Sequence, residues 1–145
     1  MARNRPKDFQ RAVQNWTKDV AERSHRIQRD AVHGFVEALT ENMPHETGNL
    51  RRSVVVSDQP FQYGHVPADT KFTDRSAENH AKIEAMPADG TIYIGVQSPY
   101  ALKDNYGAVG SDGKARPGRF WAERTASAWR GLVAKYARAK GMRAR

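Results

Sequence analysis

Apolar residues recur every three, four or seven positions over the first 43 residues of the chain. The positions are Phe9, Val13, Trp16, Val20, Ile27, Ala31, Phe35, Leu39 and Met43. This spacing predicts one long amphipathic helix over residues 9–43. At 1.5 Å per residue that helix is about 50 Å long, which exceeds the width of a small domain. We therefore expect part of it to project or to be broken, with Gly34 as its weakest point.

The chain is expected to turn directly after this helix. Pro44 cannot continue a helix, and Gly48 can adopt the positive φ that a reversal needs. The stretch "LRRSVVVS" then alternates between two sides and is rich in valine, which predicts a strand over residues 50–57. A second strand is predicted at "TIYIGV", residues 91–96.

Loops and further helices are predicted between and after these strands. Residues 58–76 contain two prolines and a glycine without a clear period and predict a long loop, whereas residues 77–85 predict a short helix. In "SPYALKDNYG" one helical turn is expected to end at Gly107, and "AVGSDGKARPG" is expected to form a flexible tip. Helical spacing from Pro117 onward predicts a second long amphipathic helix.

This order of elements predicts the α+β class. We expect a small, mainly antiparallel sheet packed by the long N-terminal helix and the C-terminal helix. A length of 145 residues fits a single domain, residues 1–145. Residues 1–7 and 139–145 are expected to be flexible, basic termini.

Charge is distributed unevenly along the chain. The net charge is +8, yet residues 1–113 contain 14 basic and 15 acidic side chains, and residues 114–145 contain 10 basic and one acidic side chain. A basic cluster of this kind attracts phosphates or an acidic protein surface through the same Coulomb interaction, and it also fits a solvated helix face. The absence of cysteine favours a reducing compartment, and no apolar run approaches the ~20 residues that span a bilayer. We therefore expect a soluble protein made in the cytoplasm, without a membrane partner.

No motif in the sequence predicts catalysis, a cofactor or a metal. The phosphate-loop pattern around "GSDGKA" fails because Ala108 and Ala115 occupy positions that require glycine and Ser or Thr. The five histidines are scattered, and His65 and His80 are more simply explained as solvated loop residues than as ligands. We expect a protein that is not an enzyme.

Nucleic-acid binding is a stronger alternative. Basic side chains from Arg116 and Arg119 onward could contact phosphates, although no sequence-reading module is visible. Most aromatic residues of the last helix fall on one stripe, which favours core packing. Trp121 lies off that stripe, so it is the best candidate for a surface or interface aromatic residue.

Three blocks of the sequence together resemble a known family. The blocks are "MPHETGNLRRSVVV", "TIYIGVQSPYALKDNYG" and "ARPGRFWAERTASAW". They resemble the tail-completion, or head–tail joining, proteins of tailed bacteriophages, which combine a long first helix, a P-x-x-T-G-x-L-R strand entry, a P-Y-A-x-x-x-E-x-G segment and a proline-led final helix. The matching residues are Pro44, Thr47, Gly48, Leu50, Arg51, Pro99, Tyr100, Ala101, Gly107, Pro117 and Phe120. Asn105 departs from the pattern, because the family usually has glutamate there.

The resemblance implies a structural protein of the virion neck. Such a protein caps the tail tube and joins the tail to the head as a hexameric ring, after assembly in the host cytoplasm. The implied partners are other copies of the chain, the tail tube protein and the connector or stopper proteins, with non-specific contact to genomic DNA in the channel. The alternative is a small basic DNA-binding or packaging accessory protein. The residues nominated for interaction are Thr47, Gly48, Arg51, Tyr100, Asn105, Trp121, Arg116 and Arg119.

Overall fold

The structure, a computed structural model, describes residues 6–62 and 64–141. Its elements in chain order are α1 (Pro6–Asn42), α2 (Asn49–Arg52), β1 (Val54–Ser57), α3 (Ser76–Glu84), β2 (Tyr93–Val96), α4 (Ala101–Tyr106), β3 (Gly107–Val109), β4 (Ala115–Pro117), α5 (Trp121–Ser127) and α6 (Trp129–Ala139). The predicted α+β class is confirmed. The described part of the chain contains two small antiparallel sheets, where we predicted one.

The first sheet joins two strands that are distant in sequence. β1 pairs with β2 in antiparallel register, with Val54 opposite Val96 and Ser57 opposite Tyr93. Three consecutive valines, Val54, Val55 and Val56, are buried, so β1 is covered on both of its faces. A strand covered in this way has a continuous apolar run, which explains the "VVV" sequence.

Helix α1 consists of a projecting part and a core part. Residues 6–24, called the arm below, are exposed apart from the half-buried Val20. Burial begins in the next turn, and Ile27, Ala31 and Leu39 contribute to the core. The expected projection is therefore confirmed.

Gly34 does not break α1. The helix runs through it, and Gly34 is buried against α6. A Cβ atom added at Gly34 would lie 3.0 Å from the hydroxyl oxygen of Tyr136. Glycine at this position allows the two helices to approach closely, so its role is packing.

Two apolar clusters form the core, and β1 contributes to both. The first is made by Leu39, Met43, Val54, Ala101 and Trp121. The second is made by Val32, Val56, Ile83 and Met86. Because α1 and β1 each supply residues to both clusters, the core part of α1 and the first sheet form one packed unit.

Helix α3 is attached to the free edge of β1 by one side chain. Asn79 is buried; its Oδ1 accepts a hydrogen bond from the Val56 amide at 3.1 Å, and its Nδ2 donates to the Val54 carbonyl at 2.9 Å. The Asn79 amide thus makes the bonds that a neighbouring strand would make. It satisfies the backbone of β1 on the side that β2 does not reach.

Several predicted boundaries need correction. The strand predicted over residues 50–57 begins only at Val54, because residues 49–52 form the short helix α2. The predicted flexible tip is the hairpin of β3 and β4. The predicted final helix is divided at Ala128 into α5 and α6.

Other predicted elements agree with the structure. The short helix predicted over residues 77–85 is α3, and the strand predicted over residues 91–96 contains β2. The described residues between β1 and α3 contain no helix or strand, which confirms the loop predicted over residues 58–76. Most of the two termini expected to be flexible, residues 1–7 and 139–145, lies outside the described residues.

Candidate functional site

The Thr47–Gly48 junction sets the direction of the chain between α1 and β1. Gly48 has a φ of 68°, a left-handed conformation that glycine adopts readily. The Thr47 hydroxyl accepts a hydrogen bond from the Asn49 amide at 3.3 Å, and the Gly48 carbonyl accepts one from the Arg52 amide at 3.1 Å. These contacts start α2, so both residues have a structural role within the subunit.

Arg51 folds back onto the C-terminal end of α1. Its Nη2 donates to the Glu41 carbonyl at 3.4 Å and contacts the His45 ring. A cation at this end of a helix is favourable because the last carbonyls carry partial negative charge. The Nε atom of Arg51 is buried and has no hydrogen-bond partner in the described part of the chain.

The long loop is joined to α2 near its second end. Asn49 donates to the Thr70 carbonyl at 3.0 Å and accepts a hydrogen bond from the Phe72 amide at 2.8 Å. Arg52 Nε donates to the Phe72 carbonyl at 3.0 Å. The junction therefore positions the end of the loop as well as the first sheet.

The structure corrects the expectation of a surface aromatic residue at Trp121. Its side chain is only 3% exposed and belongs to the first apolar cluster. Its Nε1 donates to Asp104 Oδ2 at 2.9 Å, which satisfies the indole N–H. The surface position was inferred by placing Trp121 and the later aromatic residues on one continuous helix. Because that helix is divided at Ala128, residues on its two sides do not share one helical face, and this explains the error.

Asn105 is also an interior residue, not a surface contact. It is 2% exposed; its Nδ2 donates to Glu123 Oε2 at 2.9 Å, and its Oδ1 accepts from the Ala122 amide at 3.0 Å. An amide can donate and accept at once, whereas an ionised glutamate only accepts. The departure from the family pattern thus fits the acidic neighbour Glu123.

Glu123 and Tyr106 influence each other at the same place. The Tyr106 hydroxyl and then the Asn105 amide lower the pKa of Glu123, because both donate to its ionised carboxylate. The same contact raises the pKa of Tyr106, because losing the phenolic proton would set two negative charges together.

The loop before α5 presents an aromatic ring to solvent. Phe120 has a φ of 50°, unusual for a residue with a side chain, and its ring is half exposed. Its amide donates to the Asn105 carbonyl at 2.9 Å, and the Arg119 amide donates to the Asp104 carbonyl at 3.1 Å. These bonds hold the strained conformation in place.

Phe120 is part of an exposed apolar surface. Its ring meets that of Tyr106 edge to face, with centroids 6.2 Å apart. Leu102 precedes Tyr106 by one helical turn on α4 and is 72% exposed. We call Leu102, Tyr106 and Phe120 the hairpin patch. Tyr100, which forms the N-cap of α4, is half exposed.

The arm carries a second exposed apolar surface. Phe9 is 71% exposed and Trp16 is 67% exposed, with Val13 between them on the same helical stripe. Stripes of this kind on amphipathic helices normally face a partner. We call Phe9, Val13 and Trp16 the arm stripe.

The predicted basic residues divide into paired and unpaired groups. Arg116 lies 3.9 Å from Asp112, and Arg119 lies 3.4 Å from Glu46 and 3.6 Å from Asp104. Other basic side chains of α5 and α6 are exposed and make no ion pair with the described residues; they are Arg124, Arg130, Lys135 and Arg138. The available positive charge therefore lies on α5 and α6, and Arg116 and Arg119 contribute less of it.

A cluster that the sequence did not predict joins α1 to α3. Glu84 Oε1 lies 2.8 Å from His33 Nε2, and Glu84 Oε2 lies 3.4 Å from Arg29 Nη1. The His33 hydrogen bond lowers the pKa of Glu84, with a smaller contribution from Arg29. The His80 ring is stacked against His33 at a centroid distance of 4.4 Å. The only signal in the sequence was the spacing of His80 and Glu84, which puts both on one face of a helix.

No helix among the described residues has the length and apolarity needed to cross a bilayer. Comparisons of this chain with protein-family models, with curated proteins and with solved structures find no match.

Proposed function

We propose that the chain is a structural protein of the neck of a tailed bacteriophage, which completes the tail tube and joins it to the head as a hexameric ring. The resemblance in three sequence blocks suggests this role, and one structural observation carries the proposal. The arm presents Phe9, Val13 and Trp16 to solvent although they form a continuous stripe. Exposed apolar surface of this kind marks a site of interaction, so the arm is expected to be covered by a partner in an assembly.

The two exposed surfaces suit the geometry of a ring. A head-to-tail contact joins two different surfaces of the same chain, and it closes into a ring when the rotation between copies allows. The arm stripe and the hairpin patch are different, and both are apolar. Fully burying a large apolar side chain contributes about 1.5–3 kcal/mol. Because Phe9, Val13 and Trp16 are 71%, 45% and 67% exposed, the arm stripe can contribute about 3–5 kcal/mol before the costs of association.

Most residues nominated from the sequence support these surfaces from inside the subunit and do not form them. Asn105 and Trp121 support the loop that presents Phe120, and Thr47 and Gly48 orient the sheet relative to α1. Tyr100 is half exposed beside the hairpin patch on α4, and we propose that it packs at the base of the contact between subunits. The tail tube and the connector or stopper proteins are the proposed further partners.

The oligomeric state tests the proposal directly. Trp16→Glu places a charge on the arm stripe, and Gln14→Glu places the same charge on the opposite, exposed side of the arm. By light scattering after gel filtration, the parent chain and Gln14→Glu should form the same oligomer, and Trp16→Glu should be a monomer with unchanged helicity. A parent chain that is monomeric at high concentration, or a Trp16→Glu protein that still assembles, would refute the role of the arm.

A second experiment tests the place in the virion. In a producing lysate in which this reading frame alone is disrupted, electron microscopy should show filled heads beside tails that fail to join, or tails of irregular length. Supplying the intact gene should restore complete particles. Normal virions, or empty heads with unaffected tails, would contradict a neck role.

The basic face of α5 and α6 favours a second candidate, a DNA-binding or packaging accessory. Its free arginines and lysines would each release counterions on contact with phosphate, so duplex binding would weaken steeply with salt. Under this alternative the chain binds DNA as a monomer or dimer, and Arg130→Glu together with Arg138→Glu abolishes binding. A neck ring predicts weak binding at most and assembly that survives the double substitution.

A further inference from the structure

The cluster between α1 and α3 contains three side chains that commonly bind metals. One ligand atom each from His33, His80 and Glu84 lies within 4.8 Å of the other two. His33 comes from the core part of α1, while His80 and Glu84 are one helical turn apart on α3. Two helices that are already packed together therefore hold the three groups in place.

The ligand set matches a particular class of cation. Two imidazoles and one carboxylate are suited to zinc and similar transition metals, whereas Mg²⁺ and Ca²⁺ prefer oxygen ligands alone. Tetrahedral zinc with bonds of 2.0–2.1 Å needs ligand atoms about 3.3 Å apart. The His33–Glu84 separation of 2.8 Å would open slightly, and the exposed His80 ring would rotate inward.

The surroundings complete the arrangement. Arg29 contacts Glu84 Oε2, which leaves Oε1 as the oxygen directed toward the histidines. A carboxylate ligand whose second oxygen is held by a hydrogen bond is a common feature of metal sites. His33 and His80 also line an open groove of about 620 Å³, so a cation has a path to the cluster and an outer position for water.

A hydrogen bond from His33 to Glu84 explains two of the three residues without a metal. It does not explain His80, whose ring nitrogens make no hydrogen bond with any described residue although the ring is stacked on His33. The stacking on His33 places a third ligand atom beside the His33–Glu84 pair. The convergence of three metal-binding side chains within 4.8 Å is the observation that points to a ligand.

We propose that His33, His80 and Glu84 bind one transition-metal cation of the zinc class, which clamps α3 to α1. The site would act on the subunit itself, and the proposal does not depend on a role in the phage neck. The three side chains would supply three ligands, and water would occupy the fourth position. The metal would bind reversibly, and the fold would not depend on it.

Isothermal titration of the full, untagged chain with Zn²⁺ tests the proposal. The parent chain should bind one equivalent in a saturable manner and should not bind Mg²⁺ at the same concentrations. His80→Ala should weaken Zn²⁺ binding at least about tenfold, because it removes one of three ligands. Since His80 makes no internal hydrogen bond, this variant should fold normally. The matched control is His65→Ala, an exposed histidine of the long loop outside the cluster, which should bind Zn²⁺ as the parent does.

Visible absorption of the Co²⁺-loaded chain provides a second readout. Tetrahedral coordination should give an absorption band in the parent and in His65→Ala and none in His80→Ala. Zinc uptake without saturation, equal weakening in His65→Ala and His80→Ala, or unchanged binding in His80→Ala would each overturn the site. Each of these results is independent of the oligomeric state, so it leaves the proposed function to be judged on its own tests.

Discussion

Replacing Asn79 with alanine should detach α3 from the free edge of β1. The change removes the acceptor for the Val56 amide and the donor for the Val54 carbonyl, and both backbone groups are buried. A buried polar group left without a partner costs about 1–3 kcal/mol, so the two together cost about 2–6 kcal/mol. Alanine has a higher helix propensity than asparagine, which stabilises α3 by about 0.5 kcal/mol. The expected net loss in the free energy of unfolding is about 2–5 kcal/mol.

Urea denaturation followed by circular dichroism measures this loss. With a slope of about 2 kcal/mol per molar, the middle of the range for a small domain, the midpoint should fall by about 1–2.5 M. The matched control is Glu78→Ala, an exposed position one residue earlier on α3. It removes only the surface ion pair with Lys82 at 3.1 Å and a favourable charge in the first helical turn, so it should change stability by less than about 1 kcal/mol. Equal midpoints for the two variants would show that water replaces Asn79 at the strand edge, and the argument for its structural role would fail.

Three further predictions concern the region under the hairpin. Trp121→Phe removes the hydrogen bond to Asp104 and should lower the free energy of unfolding, measured in urea, by about 1–3 kcal/mol. An unchanged urea midpoint would mean that Trp121 stabilises the fold by packing and not through this hydrogen bond. Gly107→Ala should lower the free energy of unfolding by more than about 1 kcal/mol, because Gly107 has a φ of 88° and an added Cβ would lie 2.5 Å from a backbone oxygen of β4. The loss should appear as a lower thermal midpoint, and an unchanged midpoint would exclude this clash. The lowered pKa of Glu123 stabilises the fold above its ordinary value of 4.5, and that contribution is lost as the pH falls through the folded pKa. The difference in urea midpoint between the parent and Glu123→Gln should therefore shrink below about pH 4.5, and a constant difference would show that the carboxylate is not involved.

Regular periodicity made much of the fold predictable. The stripe from Phe9 to Met43 predicted the extent of α1, and the valine run predicted a strand, although its burial on both faces was not foreseen. The hairpin of β3 and β4 was missed because each strand has only three residues, too few for an alternating pattern. The "DG" pair in its loop was the available signal, and Gly113 does adopt a φ of 72° there.

The candidate sites were harder to predict because they depend on contacts between distant parts of the chain. His33 and His80 lie on different helices, and only the packing of α3 on α1 brings their rings together. Trp121 was assigned to the surface because the spacing was read across one helix, and the division at Ala128 changes which side faces the core. Periodicity describes one element at a time, so it contains no information on how two elements meet.

The arm has a consequence for the order of events in assembly. Its 19 residues, 6–24, have their own backbone hydrogen bonds but little burial, whereas most helical stability in proteins comes from the packing of an apolar face. In a free subunit the arm should therefore fray from its first turn, with amide hydrogen exchange fastest there and slowing toward Ile27. The free energy of docking must then offset the entropy lost when the arm is ordered as well as the entropy lost on association. The contact between two lone subunits is therefore expected to be weak. In the ring proposed above every arm would be docked at once, so that assembly is expected to form cooperatively, with few partial rings at equilibrium.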